Sequence, residues 1–227
     1  MAPIDILFFT VPIPREVPGF LPSYPSAFFP CLGAFHFIDC GIANTMFAGV
    51  ENRLFFIRKE HAKHFGVYAQ TDNVPFTPVF MEKEREKSLL DYLAGKKKGK
   101  VILYNLSAAC LVESRQLMDT AENCGEGLIR ISVDYLPSDI YIASADYLLR
   151  IINAHPQFME TLFSELLPAY SDQMEEIEGK VIFFSNIANF MNVHLELINW
   201  KNNEKGCRRN RNSCRNPVDC CCIRQGL

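Results

Sequence analysis

Ile6-Leu7-Phe8-Phe9 is an unbroken apolar run near the start of the chain, and four later runs repeat its form: Leu54-Phe55-Phe56-Ile57, Val101-Ile102-Leu103-Tyr104, Ile140-Tyr141-Ile142 and Val181-Ile182-Phe183-Phe184. Each is too short for a helix and too continuously apolar for a strand with one wet face. Each therefore predicts a strand of a sheet covered on both sides. Helical patterns lie between them. Ile42, Met46 and Phe47 share one face, and Leu148, Leu149, Ile151 and Ile152 form a stripe behind Ser144, which suits an N-cap. Phe158, Leu162, Phe163 and Leu166 continue a third helix that Pro168 should stop. Strands alternating with helices predict one open α/β sheet, with parallel strands, right-handed crossovers and helices on both faces.

Ligands of such sheets bind at the carboxyl ends of the strands. The segment from Thr10 to Pro30 should overhang that edge, and Pro12, Pro14, Pro18, Pro22, Pro25 and Pro30 exclude regular structure from it. Between Gly127 and Asp139, Ile129, Ile131 and Val133 alternate with Arg130, Ser132 and Asp134, as in a strand with one exposed face.

At 227 residues and 48% hydrophobic content, the chain can bury a full core without disulfides or metal. The formal charge of -3 supplies no positive field, so general nucleic-acid binding is not expected. Met1 to Thr10 lacks the basic n-region and long h-region of a signal peptide. No stretch approaches the ~20 apolar residues of a membrane span. The expected location is cytoplasmic, where cysteines stay reduced. Cys31, Cys40, Cys110 and Cys124 lie among apolar neighbours and read as small core residues. Cys207, Cys214, Cys220, Cys221 and Cys222 crowd into a basic tail over 201–227, where apolar content collapses and order is not expected. Residues 1–200 form the expected domain. The tail is open to three readings: chelation through Cys220 and Cys222, contact with nucleic acid, or, the favoured one, non-native sequence left by a frameshift or truncation.

The block Pro30-Cys31-Leu32-Gly33-Ala34-Phe35-His36-Phe37-Ile38-Asp39, with Asn44, Gly49 and Val50 beyond it, resembles the N-terminal domain of sugar-1-phosphate nucleotidyltransferases. Within them it is most similar to ADP-glucose pyrophosphorylases, in particular the regulatory subunit type of bacterial glycogen synthesis. That family reads proline, phenylalanine, two glycines, an aromatic, arginine, Leu/Ile-Ile-Asp and a later Ser-Asn. Weaker likeness runs through Ser88 to Leu93, Lys100 to Asn105, Asp139 to Ser144 and Phe184 to Trp200. The resemblance implies an open Rossmann-like, GT-A-like sheet, truncated before the left-handed β-helix into which relatives continue. It also implies Arg15, Gly33, Asp39 and Asn44 as candidate contacts to a nucleotide or sugar phosphate. A catalytic nucleotidyltransferase subunit, or a homo-oligomer, is the implied partner.

The departures from that pattern are chemical. Active members wrap the nucleotide phosphates in a glycine-rich loop whose N–H groups approach closely. This chain has Thr10-Val11-Pro12-Ile13-Pro14-Arg15-Glu16, whose prolines have no N–H to donate. The family's loop lysine falls at Ser26, and its metal aspartate falls where Leu106 and Ser107 stand. Phosphoryl-type chemistry is mainly charge neutralisation by Arg, Lys and Mg²⁺, and a hydroxyl is a poor Mg²⁺ ligand. No catalytic residue, metal ligand or cofactor is therefore assigned, Mg²⁺ being expected only if the chain is active.

Asp39 and Asn44 also suit cap or turn roles. His36, between Phe35 and Phe37, reads as a surface histidine. His61 and His64 stand at i, i+3 and do not form the His-Glu-x-x-His of zinc proteases. Lys96-Lys97-Lys98 reads as a solvated turn. Three functions remain: a degenerate, non-catalytic or regulatory nucleotidyltransferase-like subunit, an active glucose-1-phosphate nucleotidyltransferase with an atypical site, and an interaction module that keeps only the fold.

Overall fold

The computed structural model describes residues 3–10, 24–28, 30–31, 35–46, 49–69, 76–81, 85–96, 99–106, 109–155, 158–171 and 173–182. In chain order its elements are β1 (Ile4–Phe9), β2 (Pro30–Cys31), β3 (Phe35–His36), α1 (Phe37–Asn44), β4 (Val50–Arg58), α2 (Ala62–Ala69), β5 (Thr77–Met81), α3 (Arg85–Gly95), β6 (Lys100–Asn105) and β7 (Ala109–Val112). There follow α4 (Ser114–Asn123), β8 (Leu128–Val133), β9 (Leu136–Ser144), α5 (Ala145–Asn153), α6 (Leu167–Tyr170), β10 (Gln173–Ile177) and β11 (Gly179–Ile182).

The main sheet has seven strands in the order β10-β8-β9-β6-β1-β4-β5. β1 lies between β4 and β6, parallel to both, and all six of its residues are buried. Its side chains alternate between two cores. Ile4, Ile6 and Phe8 join the cluster that contains Ile38, Ile42 and Phe55, while Leu7 and Phe9 join the one that contains Leu89, Leu148 and Leu162. This two-faced burial is why the run is apolar at every position.

The expectation of parallel strands throughout fails at one place. β9 runs antiparallel to both β6 and β8, so the sheet is mixed. The apolar run at Ile140–Ile142 reports burial on both faces and is blind to strand direction. β8 has a strand on each side and three buried residues in succession at its end, rather than one wet face. The run beginning at Val181 also departs. Gly179–Ile182 pairs antiparallel with β7 in a separate two-stranded sheet, and Phe183 and Phe184 lie outside the described residues.

α1 ends at Asn44, so Met46 is exposed rather than part of a buried stripe, and Phe47 is outside the described residues. Thr45 closes the helix by donating its hydroxyl to the Gly41 and Ile42 carbonyls at 2.9 and 3.0 Å. α5 is capped as expected, with Ser144 Oγ accepting from the Tyr147 amide at 3.2 Å.

Pro168 does not stop its helix. Leu162–Leu166 is a π-turn in which the Leu166 amide reaches the Thr161 carbonyl at 3.0 Å, and α6 follows with Pro168 in its first turn. The wider turn starts the helix afresh, and a first turn needs no N–H from proline.

Cys40, Cys110 and Cys124 are buried and form no disulfide, as expected of small core residues. Lys96 corrects the reading of a solvated turn. Its ammonium lies 3.0 Å from the carboxylate of Asp5, which is 1% exposed, and 2.7 Å from Glu51. Asp5 also accepts from the Asn52 amide, the Asn52 side chain and the Tyr92 hydroxyl, which together balance its desolvation. Lys97, Lys98 and the tail 201–227 lie outside the described residues.

Candidate functional site

β1, β4, β6 and β8 run in one direction, so their carboxyl ends share one edge of the sheet. β1 delivers Thr10 there, where Thr10 Oγ1 accepts from the Ala27 amide at 3.1 Å and meets Ser26 Oγ at 3.3 Å. Ser26 is thus held beside the end of β1. β6 delivers Asn105 and Leu106. The Leu106 amide donates to the Phe9 carbonyl at 2.9 Å, which turns its side chain into the core at 0% exposure.

Asn105 is 4% exposed and donates from Nδ2 to Asp139 Oδ2 at 3.1 Å. Asp139 Oδ1 lies 3.8 Å from the Arg130 guanidinium, whose Nε also donates to the Ser138 carbonyl at 3.0 Å. A register shift between Arg130 and Ser132 sits beside this group, as bulges do where a strand re-aims side chains. Arg130 lies over the Tyr141 ring, 5.4 Å from its centroid. Burial raises the Tyr141 phenol to about 12, with Arg130 opposing the rise and Asp139 adding to it. The sequence reading passed over Asn105, Asp139, Arg130 and Tyr141. Their only signal is position, just past or within an apolar strand on one face.

Among the four expected site residues, Arg15 and Gly33 lie outside the described residues. Asp39 and Asn44 stand on α1, and both have their polar atoms engaged within the protein. Asp39 Oδ2 accepts from the His36 amide at 2.6 Å and lies 3.3 Å from His36 Nδ1, while Oδ1 accepts from the Tyr68 hydroxyl at 2.6 Å. The carboxylate caps the helix and pins it to α2. Asn44 is 3% exposed. Its Nδ2 donates to the Tyr104 hydroxyl at 2.8 Å and the Cys110 carbonyl at 2.6 Å, and its Oδ1 accepts from the Val112 amide at 3.2 Å. It ties α1 to β6 and β7.

His36 is a correction to the surface reading. Its side chain is half-buried, with its ring 5.4 Å from and edge-on to that of Tyr68. His61 is buried, whereas His64 packs edge-on to Tyr24 at 4.8 Å. Burial, then the charge of Lys63, pushes the His64 imidazole below its ordinary value.

A cavity of about 650 Å³ opens where α4 faces β10, lined by Asp119, Asp134, Glu175, Glu176, Glu178 and Tyr135 among others. Asp134 and Tyr135 form the turn between β8 and β9 with φ of 56° and 61°, a left-handed conformation that is unfavourable for a tyrosine. Glu176 holds the turn, accepting from the Tyr135 amide at 2.9 Å and from the Ser132 hydroxyl.

The described residues at the end of β6 do not fit a divalent metal. Leu106 offers no ligand, the Asn105 amide is neutral, and Asp139 is already bracketed by Asn105 and Arg130. Among the described residues no group of three or more His, Cys, Asp or Glu could hold a metal ion. Among the same residues no helix is long and apolar enough to cross a membrane.

This mixed seven-stranded α/β fold is similar to that of solved nucleotidyltransferase structures, which match it along most of the chain. They include 4-diphosphocytidyl-2C-methyl-D-erythritol synthase from Anaerococcus prevotii, with a TM-score of 0.59, 9% identity, and coverage of 87% of this chain and 96% of that one. HddC from Yersinia pseudotuberculosis matches with a TM-score of 0.60, 12% identity, and coverage of 87% and 100%. A UDP-glucose pyrophosphorylase matches with a TM-score of 0.56, 11% identity, and coverage of 88% and 100%. No protein-family model and no curated protein sequence matches the chain. At these identities the likeness establishes the fold, and the reaction has to be argued from the side chains.

Proposed function

We propose that the chain is a nucleotidyltransferase-like subunit that does not itself transfer nucleotide, a regulatory partner in glycogen or nucleotide-sugar metabolism that binds a nucleotide or sugar phosphate. The observation that carries this reading is the end of β6. The resemblance calls for a metal carboxylate there, and the chain offers a buried Leu106 beside a neutral Asn105. Adenylyl or uridylyl transfer depends on Mg²⁺ and cations neutralising charge that develops on phosphate. A leucine side chain turned into the core supplies none of that.

Asp139 is the observation that favours the second reading, an active enzyme with an atypical site. It brings a carboxylate to the same edge of the sheet, and its carboxylate already faces Arg130 at 3.8 Å. An active enzyme would need that pair to open and Arg15 to serve the phosphates.

A thermal-shift panel with nucleotides and sugar phosphates tests the binding half. A ligand at 100 times its dissociation constant adds about 2.7 kcal/mol of stability. A measurable rise in melting temperature with at least one member supports a retained pocket. No shift with any member would leave the interaction module as the better account.

A further inference from the structure

β10 is one edge of the seven-stranded sheet, and among the described residues no strand pairs with its outer side. Edge strands are ordinarily blunted, and β5 at the opposite edge carries Pro78. β10 has no proline, so no residue in it lacks an N–H. It carries carboxylates instead, which keep off an acidic strand and attract a basic one. Beside it opens the cavity of about 650 Å³, with Gln116, Asp119 and Thr120 of α4 on one wall and Glu175 to Gly179 on another. Apolar groups border the same edge. Met174 is exposed within β10, and Tyr135, 88% exposed, and Leu136 follow β8.

The cavity is acidic on both faces of the strand. Ile177 joins the core that contains Leu117 and Ala121 of α4, so Glu175, two residues earlier, lies on the α4 face with Asp119. Glu176 lies on the opposite face, bonded to the Ser132 hydroxyl and the Tyr135 amide. Asp134 and Glu178 bring the lining to five carboxylates, and it holds no lysine, arginine or histidine. A single metal ion does not suit them, because among the described residues no group of three or more could hold one. Charge spread along a strand edge matches an extended polycation.

The chain contains such a segment. Residues 205–218 include Lys205, Arg208, Arg209, Arg211 and Arg215 and no acid. In extended backbone Arg209 and Arg211 share one face and Arg208 takes the other, so both rows of carboxylates are met. The described residues end at Ile182, three residues past Gly179 of the cavity lining. Lys205 follows 23 residues later, a reach of up to about 75 Å.

We propose that residues 205–218 dock along the β10 edge with their arginines in the acidic cavity. The proposal needs neither nucleotide nor sugar phosphate, and it makes the tail a complement of the fold rather than non-native sequence.

Fluorescence polarisation with a labelled, reduced peptide of residues 205–218 tests it on the full chain. A variant with Arg208→Gln, Arg209→Gln, Arg211→Gln and Arg215→Gln together should bind the peptide at least tenfold more tightly than wild type, whose own segment occupies the site. Adding Asp119→Asn and Glu175→Gln to that variant should lower affinity at least tenfold. Adding Glu126→Gln and Asp146→Asn, which lie outside the cavity, should leave it unchanged. All four carboxylates belong to exposed residues, so melting temperatures should stay level. Raising salt from about 50 mM to about 500 mM should weaken binding, since exposed charges are screened. Equal binding by wild type and the arginine-free variant, equal loss with both carboxylate pairs, or no binding of the peptide would overturn the proposal. Occlusion in wild type that appears only as protein concentration rises would assign the segment to a second copy and would equally overturn it.

Discussion

Asn44 and Tyr104 are joined by a buried hydrogen bond of 2.8 Å, from the end of α1 to β6. The same amide serves the Cys110 carbonyl and the Val112 amide, so one side chain satisfies three groups on two strands. Removing it leaves the Val112 amide without its side-chain acceptor and leaves the Tyr104 hydroxyl and the Cys110 carbonyl with only the 3.3 Å bond between them. Asn44→Ala should therefore destabilise the fold by about 3 kcal/mol, from a cost of about 1–3 kcal/mol per buried group left unmade. Urea unfolding would measure this as a lower midpoint at unchanged slope. A loss under about 0.5 kcal/mol, the scale of ordinary surface substitutions, would contradict it.

Asp39 acts through Tyr68 as well as through its cap. Tyr68→Phe removes one hydrogen bond to a carboxylate and should cost about 1.5 kcal/mol, while Asp39→Ala also removes the cap and should cost about 2–3 kcal/mol. The double variant should cost no more than Asp39→Ala alone, because the two share one interaction. Full additivity would show that they act independently.

Glu176 predicts an acid-side dependence. Its carboxyl is held below its ordinary value near 4.5 by the Ser132 hydroxyl, then by the Tyr135 amide. A carboxyl depressed in the folded state stabilises above its unfolded value, and that stabilisation is lost as pH falls through the folded value. Wild-type stability should thus decline below about pH 4.5 more steeply than that of Glu176→Gln. Parallel unfolding curves for the two proteins from about pH 3 to pH 7 would contradict the clamp.

Gly179 admits no side chain. An added Cβ would stand 2.2 Å from the Leu111 carbonyl oxygen and 2.9 Å from Val133 Cγ1. The obstruction is backbone, which cannot swing aside. Gly179→Ala should therefore cost about 3 kcal/mol, at the upper end of overpacking losses, by parting β11 from β7. Wild-type stability in that variant would show that the two strands are not pressed together as described.

The sheet was legible because its strands are buried on both faces, which makes Ile6–Phe9, Leu54–Ile57 and Val101–Tyr104 apolar at every position. β5 and β10 were not legible. Pro78 lies inside one, and the other reads Gln173-Met174-Glu175-Glu176, as edge strands open to solvent tolerate. The reversed direction of β9 left no trace, since burial does not depend on strand direction. Ser144 was legible as a cap because a cap is local. Lys96 was not, because its partners Asp5 and Glu51 come from other strands. The corner of Asn105, Asp139, Arg130 and Tyr141 is likewise assembled from three strands, and no short spacing announces it.

We propose that this chain does not transfer nucleotide, because Leu106 and Asn105 stand at the end of β6. Pyrophosphate release from ATP, UTP, GTP or CTP with glucose 1-phosphate and Mg²⁺ tests it most directly on purified protein. The account predicts release no greater than the protein-free blank for every nucleotide. Robust turnover that Arg15→Ala or Asp139→Asn abolishes would contradict it.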